Sequence, residues 1–225
     1  MNLRTPAVLA TAAALSLGAT ACGSDDSSTA SGSSSGSASS SQASKPVAQI
    51  DSLTGKSTAV TLDGGFVDAL TQLKLTPSPL GDASISKSGV ASFPITGGNV
   101  KYFKPGTVSP FVQGEIDHDG SGLQLKGGGK TVQLTDFVVD PGASVLTGKV
   151  TVDGKEAAAS APLFFLDGRT LKPLEAKDNG TAVLEGTTVK FKDESAQLLN
   201  KTFGVDALKG GLEVGVAKIT VNTGA

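Results

Sequence analysis

The distribution of apolar residues along this chain follows a period of two for most of its length. Thr58 to Leu62, Gly89 to Ile95, Val100 to Phe103, Phe111 to His118, Leu123 to Lys126, Thr131 to Val139, Val145 to Val152 and Leu212 to Val221 are short runs rich in β-branched or aromatic residues. Gly97-Gly98, Pro105-Gly106, Gly127-Gly128-Gly129, Pro141-Gly142, Asp153-Gly154 and Asp167-Gly168 punctuate them. Short alternating runs at this spacing, separated by glycine turns, predict an all-β domain: an antiparallel β-sandwich, or a barrel-like variant of it. Asp117 to Gly122 reads as a hairpin turn of small polar residues between two of these strands.

Two segments depart from that period. Phe66, Val67, Leu70 and Leu73 recur at helical spacing after Asp63-Gly64-Gly65. Leu198, Leu199 and Phe203 do the same between Asp193, an expected N-cap, and Gly204, an expected stop. The sequence therefore predicts two short helices that cover one end of the sheet.

The first 46 residues follow neither pattern. Arg4 precedes an uncharged apolar run from Ala7 to Leu17, too short to span a bilayer but of the length of an export signal's hydrophobic core. From Gly23 to about Lys45 the chain is almost entirely Ser, Ala, Gly, Thr and Asp, and carries no large apolar side chain to bury against its ordering entropy. Residues 1–21 are thus expected to be a signal peptide. Residues 22–46 form a tether with a reach of about 25 to 30 Å as a flexible coil. The segment 47–225 is read as a single β-domain.

Composition narrows the chemistry. The chain has 225 residues, a formal net charge of -2, one cysteine, one histidine, one tyrosine and no tryptophan. Scattered lysines on a mildly acidic chain form no basic stripe, and there is no row of aromatics for stacking, so nucleic acid is not an expected partner. With His118 as the only histidine, any triad or multi-histidine metal site has to pass through it, and Gly120-Ser121-Gly122 lacks the first glycine of a nucleophile elbow because Asp119 stands there. No catalytic residues are assigned. The domain is expected to be a non-catalytic binding or envelope module, with an apolar small molecule or another envelope protein as its partner.

Three side chains stand out as candidate ligand contacts. On the run Phe111 to Asp119, alternation places Val112, Gly114, Ile116 and His118 on one face. Tyr102 shares a face with Val100, opposite Lys101. An imidazole and a phenol projecting from neighbouring strands into an apolar layer could ligate or flank the iron of a haem, or could be buried with satisfied hydrogen bonds. Arg169, in Asp167-Gly168-Arg169, is either a solvated base after a turn or a partner for an anionic ligand group.

Two resemblances sharpen these expectations. The segment Leu17-Gly18-Ala19-Thr20-Ala21-Cys22-Gly23-Ser24 resembles the lipobox of bacterial lipoproteins, with Ala19 where a leucine is more usual. That resemblance implies diacylglycerol on Cys22, cleavage before it, and an extracytoplasmic domain anchored to the cell membrane by lipid. The second rests on Phe93-Pro94-Ile95-Thr96-Gly97-Gly98, the stretch Gly114 to Leu125, Thr135 to Asp140, Leu146 to Val150 and the closing Ser195 to Asn200 with Gly215-Val216-Ala217. These resemble secreted actinobacterial β-domain proteins and, more distantly, the Htaa domain of haem-transport-associated proteins. The Htaa resemblance implies an extracytoplasmic β-sandwich that binds haem through a tyrosine with a histidine nearby. The histidine carries over onto His118; the only tyrosine, Tyr102, lies in a later strand than the ligand of that family.

Acylation at Cys22 has a direct test. Cys22→Ser should move the protein from the membrane fraction to the soluble fraction, because stable attachment needs the two acyl chains that this residue would carry. Fractionation after a high-salt wash reads the result; a variant still bound to membranes would refute the anchor.

Overall fold

The computed structural model describes residues 44–223, so the signal peptide, Cys22 and all but the last residues of the tether lie outside the described residues. The described chain is mostly strand. Its strands are β1 (Ala48–Ile50), β2 (Lys56–Leu62), β3 (Thr76–Gly81), β4 (Ser84–Ile85), β5 (Val90–Pro94), β6 (Gly97–Tyr102), β7 (Val112–Gly127), β8 (Lys130–Asp140), β9 (Val145–Val152), β10 (Lys155–Asp167), β11 (Glu175–Lys177), β12 (Thr181–Phe191) and β13 (Glu213–Asn222). Helix α1 (Gly64–Gln72) follows β2, and α2 (Asp193–Phe203) follows β12.

All pairings are antiparallel, and the main path of the sheet runs β1-β6-β7-β8-β9-β10-β12-β13-β2-β5-β4. The sheet curls on itself into a half-barrel rather than splitting into two stacked layers. Of the two all-β architectures that the alternation predicts, it takes the barrel-like one, with the two short helices as expected. Curling is the usual escape for a strongly twisted sheet of this many strands. It brings β5, near one edge, against β7 and β8, where Phe93 packs edge-on to Phe137 of β8 with ring centroids 5.3 Å apart.

The segment Asp117 to Gly122 is where the local reading fails. It is not a hairpin turn. β7 passes through it as one strand of 16 residues, with a bulge between His118 and Gly122 that shifts the register against β8. The bulge bends the strand, so that its first half pairs with β6 and its second half with β3. Ser121 is fully buried in the bend and donates its hydroxyl to the His118 carbonyl 3.1 Å away. Small polar residues at this spacing suit a turn or a bulge equally well; only the pairing on both sides decides between them.

Other differences have equally local causes. Gly97-Gly98 is not a turn but the start of β6, paired with Asp117 and Ile116. β3 went unpredicted because Pro77 and Pro79 interrupt its period; it tolerates them because it pairs on one side only, with β7. In α1, Asp63 is the N-cap and accepts from the Phe66 amide. In α2 the expected N-cap, Asp193, is instead the first helical residue, and Lys192 occupies the cap position without a side-chain hydrogen bond. Asp193 and Glu194 then act on the helix dipole from the first turn. Gly204 ends the helix in the left-handed conformation as expected.

The helices fill one end of the half-barrel. Phe66 and Leu70 of α1 and Leu199 of α2 are buried with Leu163, Phe191 and Leu134 in a continuous core, and Phe66 and Phe191 lie 5.8 Å apart. The opposite end has no such filling.

At that opposite end, Gly186 allows β12 to lie close to the segment that follows β10. Its φ is +112°, and a Cβ there would run into the Thr170 carbonyl oxygen, while its own carbonyl accepts from the Thr170 hydroxyl at 2.6 Å. Gly186→Ala combines backbone strain with a steric clash against backbone, and should lower stability by about 2 to 4 kcal/mol, read as a lower urea midpoint.

Candidate functional site

The inward alternation of the curled sheet leaves a cavity of about 900 Å³, open at the end away from the helices. Its walls are apolar: Val60, Ile116, Val139, Leu146, Val189 and Ala217, from six different strands, all face it. Interiors are normally packed as densely as organic crystals, with few voids larger than a water molecule. A hollow of this size is therefore a feature of the architecture, and it falls in the range of small-molecule sites.

The floor is built around His118, which is 2% exposed. Its Nδ1 lies 3.2 Å from the Phe137 carbonyl oxygen, and its Nε2 lies 2.8 Å from the Thr58 hydroxyl. A carbonyl can only accept, so Nδ1 carries the proton and Nε2 accepts from Thr58. Both nitrogens are engaged within the protein. Burial pushes the His118 pKa down to about 4, outweighing the Phe137 carbonyl, the Asp119 charge and the Ile116 carbonyl, which favour the charged ring. The imidazole is neutral at physiological pH. Phe93 closes the floor beside it, edge-on at 6.4 Å.

Tyr102 lies at the mouth. It ends β6, pairs with Val112 at the start of β7, and stacks edge-to-face on Phe111 at 5.8 Å. Six residues of β7 separate the Val112 level from His118, about 20 Å of strand. The cavity thus includes both side chains, as their shared apolar face predicts, but at different depths. The register sets them six residues apart along β7, and both nitrogens of His118 are hydrogen-bonded within the protein.

Arg169 stands at the same open end, on a 3-10 turn (Gly168–Thr170) that follows β10. It is not a lone solvated base. Its Nη2 and Nε reach the two carboxylate oxygens of Asp167 at 2.6 and 2.9 Å, and Lys190 of β12 approaches the same carboxylate at 2.9 Å. The Asp167 side chain is 7% exposed, whereas that of Arg169 is 84% exposed. Hydrogen bonds from Arg169, then from Lys190 and the Arg169 amide, hold the Asp167 carboxyl far below the usual carboxylate range. The ion pair leaves most of the guanidinium edge facing outward.

Three of the residues that shape the site were not singled out in the sequence. Thr58 carries a signal of its own, a polar residue in phase with inward-facing Val60 and Leu62. Asp167 was visible only as a turn residue, and Lys190 only as one lysine among many, because their ion pair joins residues 23 positions apart.

An antiparallel sheet curled around an apolar hollow, with polar groups gathered at its mouth and a hydrogen-bonded Thr58–His118 pair deep inside, defines an all-β half-barrel domain. No family model matches this chain, and no curated protein does. Among solved structures it is similar to the crystal structure of the C-terminal domain of HtaA from Corynebacterium glutamicum, with a TM-score of 0.52 and 12% identity, over 76% of this chain and 98% of that one. A domain-swapped dimer variant of the same domain matches with a TM-score of 0.44 and 11% identity, over 72% and 94% of the two chains. The first likeness establishes a shared fold.

His118 makes stability depend on pH. Its folded pKa lies below its unfolded value near 6.5, so the unfolded chain takes up a proton first; the stabilisation is complete above about pH 6.5 and is lost as pH falls toward 4. Between pH 7 and pH 4.5 this amounts to about 2 to 3 kcal/mol. Urea midpoints at the two pH values should differ accordingly, and the difference should shrink in His118→Gln.

Proposed function

We propose that this chain is a non-catalytic binding module that takes an apolar ligand into its half-barrel and is held outside the cytoplasmic membrane by acyl chains on Cys22. The observation that carries the reading is the open, apolar cavity of about 900 Å³ between the His118 floor and the Tyr102 and Arg169 mouth. Binding is favoured over acid–base chemistry because the sole imidazole is buried, neutral and hydrogen-bonded at both nitrogens. The anchor rests on the lipobox-like segment ending at Cys22.

Haem is the specific second reading, supported by the Htaa resemblance and by the fold shared with the HtaA domain. The apolar walls suit a porphyrin. Tyr102, for which no hydrogen-bond partner of its hydroxyl is found among the described residues, would hold the iron, and Arg169 would pair with a propionate. His118 does not fit as a second ligand.

Both readings are tested on the full chain carrying Cys22→Ser. It should enhance the fluorescence of anilinonaphthalene sulfonate on binding. Leu146→Trp, which places an indole in the hollow, should weaken that binding at least about tenfold while leaving the melting temperature nearly unchanged. Equal dye binding by the two proteins would overturn the cavity as the site. Haem titration separates the second reading: a Soret shift abolished by Tyr102→Phe supports it, and one unchanged in that variant refutes it.

A further inference from the structure

We propose that the occupant of the cavity is an anionic aliphatic lipid, held tail-inward with its charged head at Arg169; this rests on the binding-module reading above. Polar side chains that line the cavity are distributed unevenly. Gln49, Ser109, Ser144, Asp167, Arg169 and Thr223 gather toward the mouth, together with Tyr102, whereas deeper down the lining offers Thr58, His118 and Thr187. The hydrogens of the Thr58–His118 pair are spent on each other and on the Phe137 carbonyl, so it has no donor left for a ligand. A molecule reaching the floor meets two threonine hydroxyls among apolar walls, too few to offset the cost of desolvating a strongly polar inner end. An aliphatic tail has no polar group to desolvate.

Depth agrees with that chemistry. The six residues between the mouth and floor levels of β7 span about 20 Å of strand, or about 15 Å along the barrel axis at the usual strand tilt of roughly 35–45°. One leaflet of a bilayer is half of its hydrocarbon core of about 30 Å. Because the lining continues past His118 to Leu123, the hollow is deep enough to take a membrane lipid's acyl chain.

Charge selects the head. Asp167 is the one carboxylate lining the cavity, and two cations, Arg169 and Lys190, bind it, leaving one net positive charge at the mouth of a chain whose overall charge is -2. Arg169 spends two of its five N–H donors on the Asp167 carboxylate. The other three remain for a carboxylate or phosphate at the water-exposed end of a bound amphiphile.

The test uses the full chain carrying Cys22→Ser, with oleate, oleyl alcohol, lysophosphatidylglycerol and haem as competitors for bound anilinonaphthalene sulfonate. Oleate should displace the dye about tenfold more tightly than oleyl alcohol. Arg169→Gln should bring oleate down to the level of the alcohol and leave the alcohol unchanged, and Arg169→Lys should recover part of the difference. Oleate and lysophosphatidylglycerol separate a carboxylate head from a phosphate one, and preference for either supports the proposal. Equal affinity for oleate and the alcohol, or oleate binding indifferent to Arg169→Gln, overturns the anionic head while leaving the apolar cavity standing. Displacement by haem but not by oleate overturns the lipid in favour of the porphyrin. If no competitor displaces the dye, the lipid proposal and the binding-module reading fall together.

Discussion

The hydrogen bonds of His118 hold the half-barrel at the point where it would otherwise open. One ring, inside an apolar interior, bonds a hydroxyl on β2 and a backbone carbonyl on β8 while its own backbone lies on β7. β2 and β7 are far apart along the sheet path and are brought together only by its curl. In low dielectric such a pair is costly to break, because either partner left alone is an unpaired buried group. The pair sits within the lining of the cavity, which continues past it to Leu62, Leu123 and Val214 before the helices and Leu163 fill the barrel.

The two ends of one sheet are therefore filled differently. At the helical end, inward side chains meet Phe66, Leu70 and Leu199 and are packed. At the open end the same inward alternation meets no second layer, so the apolar walls of Leu146, Val189 and Ile219 face the cavity. Stability is supplied by the packed end and by the sheet ladder, which allows the other end to stay hollow. The bulge at Gly120 and Ser121 serves both ends, since it turns β7 from its partner β6 at the mouth to its partner β3 beside the helices.

Electrostatics follow the same division. The imidazole at the floor is kept neutral by burial, and charge is confined to the mouth, where Arg169 and Lys190 share the Asp167 carboxylate. A buried carboxylate with two cations is well compensated, and the outer cation keeps a face toward water. Replacing Arg169 by an uncharged residue would leave Lys190 to hold Asp167, so the ion cluster tolerates changes at its exposed member better than at its buried one.

What the sequence determined by itself is what depends on neighbours in the chain. Alternation in Thr58 to Leu62 or Thr131 to Val139 specifies a strand with one apolar face, because successive side chains must point to opposite sides. Asp63 before Gly64-Gly65-Phe66, and Gly204 after Phe203, bound helices through local caps. The same alternation placed Tyr102 and His118 on the apolar face. Tertiary structure decided what lies opposite that face. Whether the sheet stacks or curls, whether Asp117 to Gly122 is a turn or a bulge, which residues meet His118, and at what depth Tyr102 sits all depend on strand register and on pairs such as Thr58 with His118, 60 positions apart. Long-range pairing leaves no period in the sequence, so a core position and a cavity wall, both simply apolar and inward, are spelled alike until the fold puts a helix in front of one and open space in front of the other.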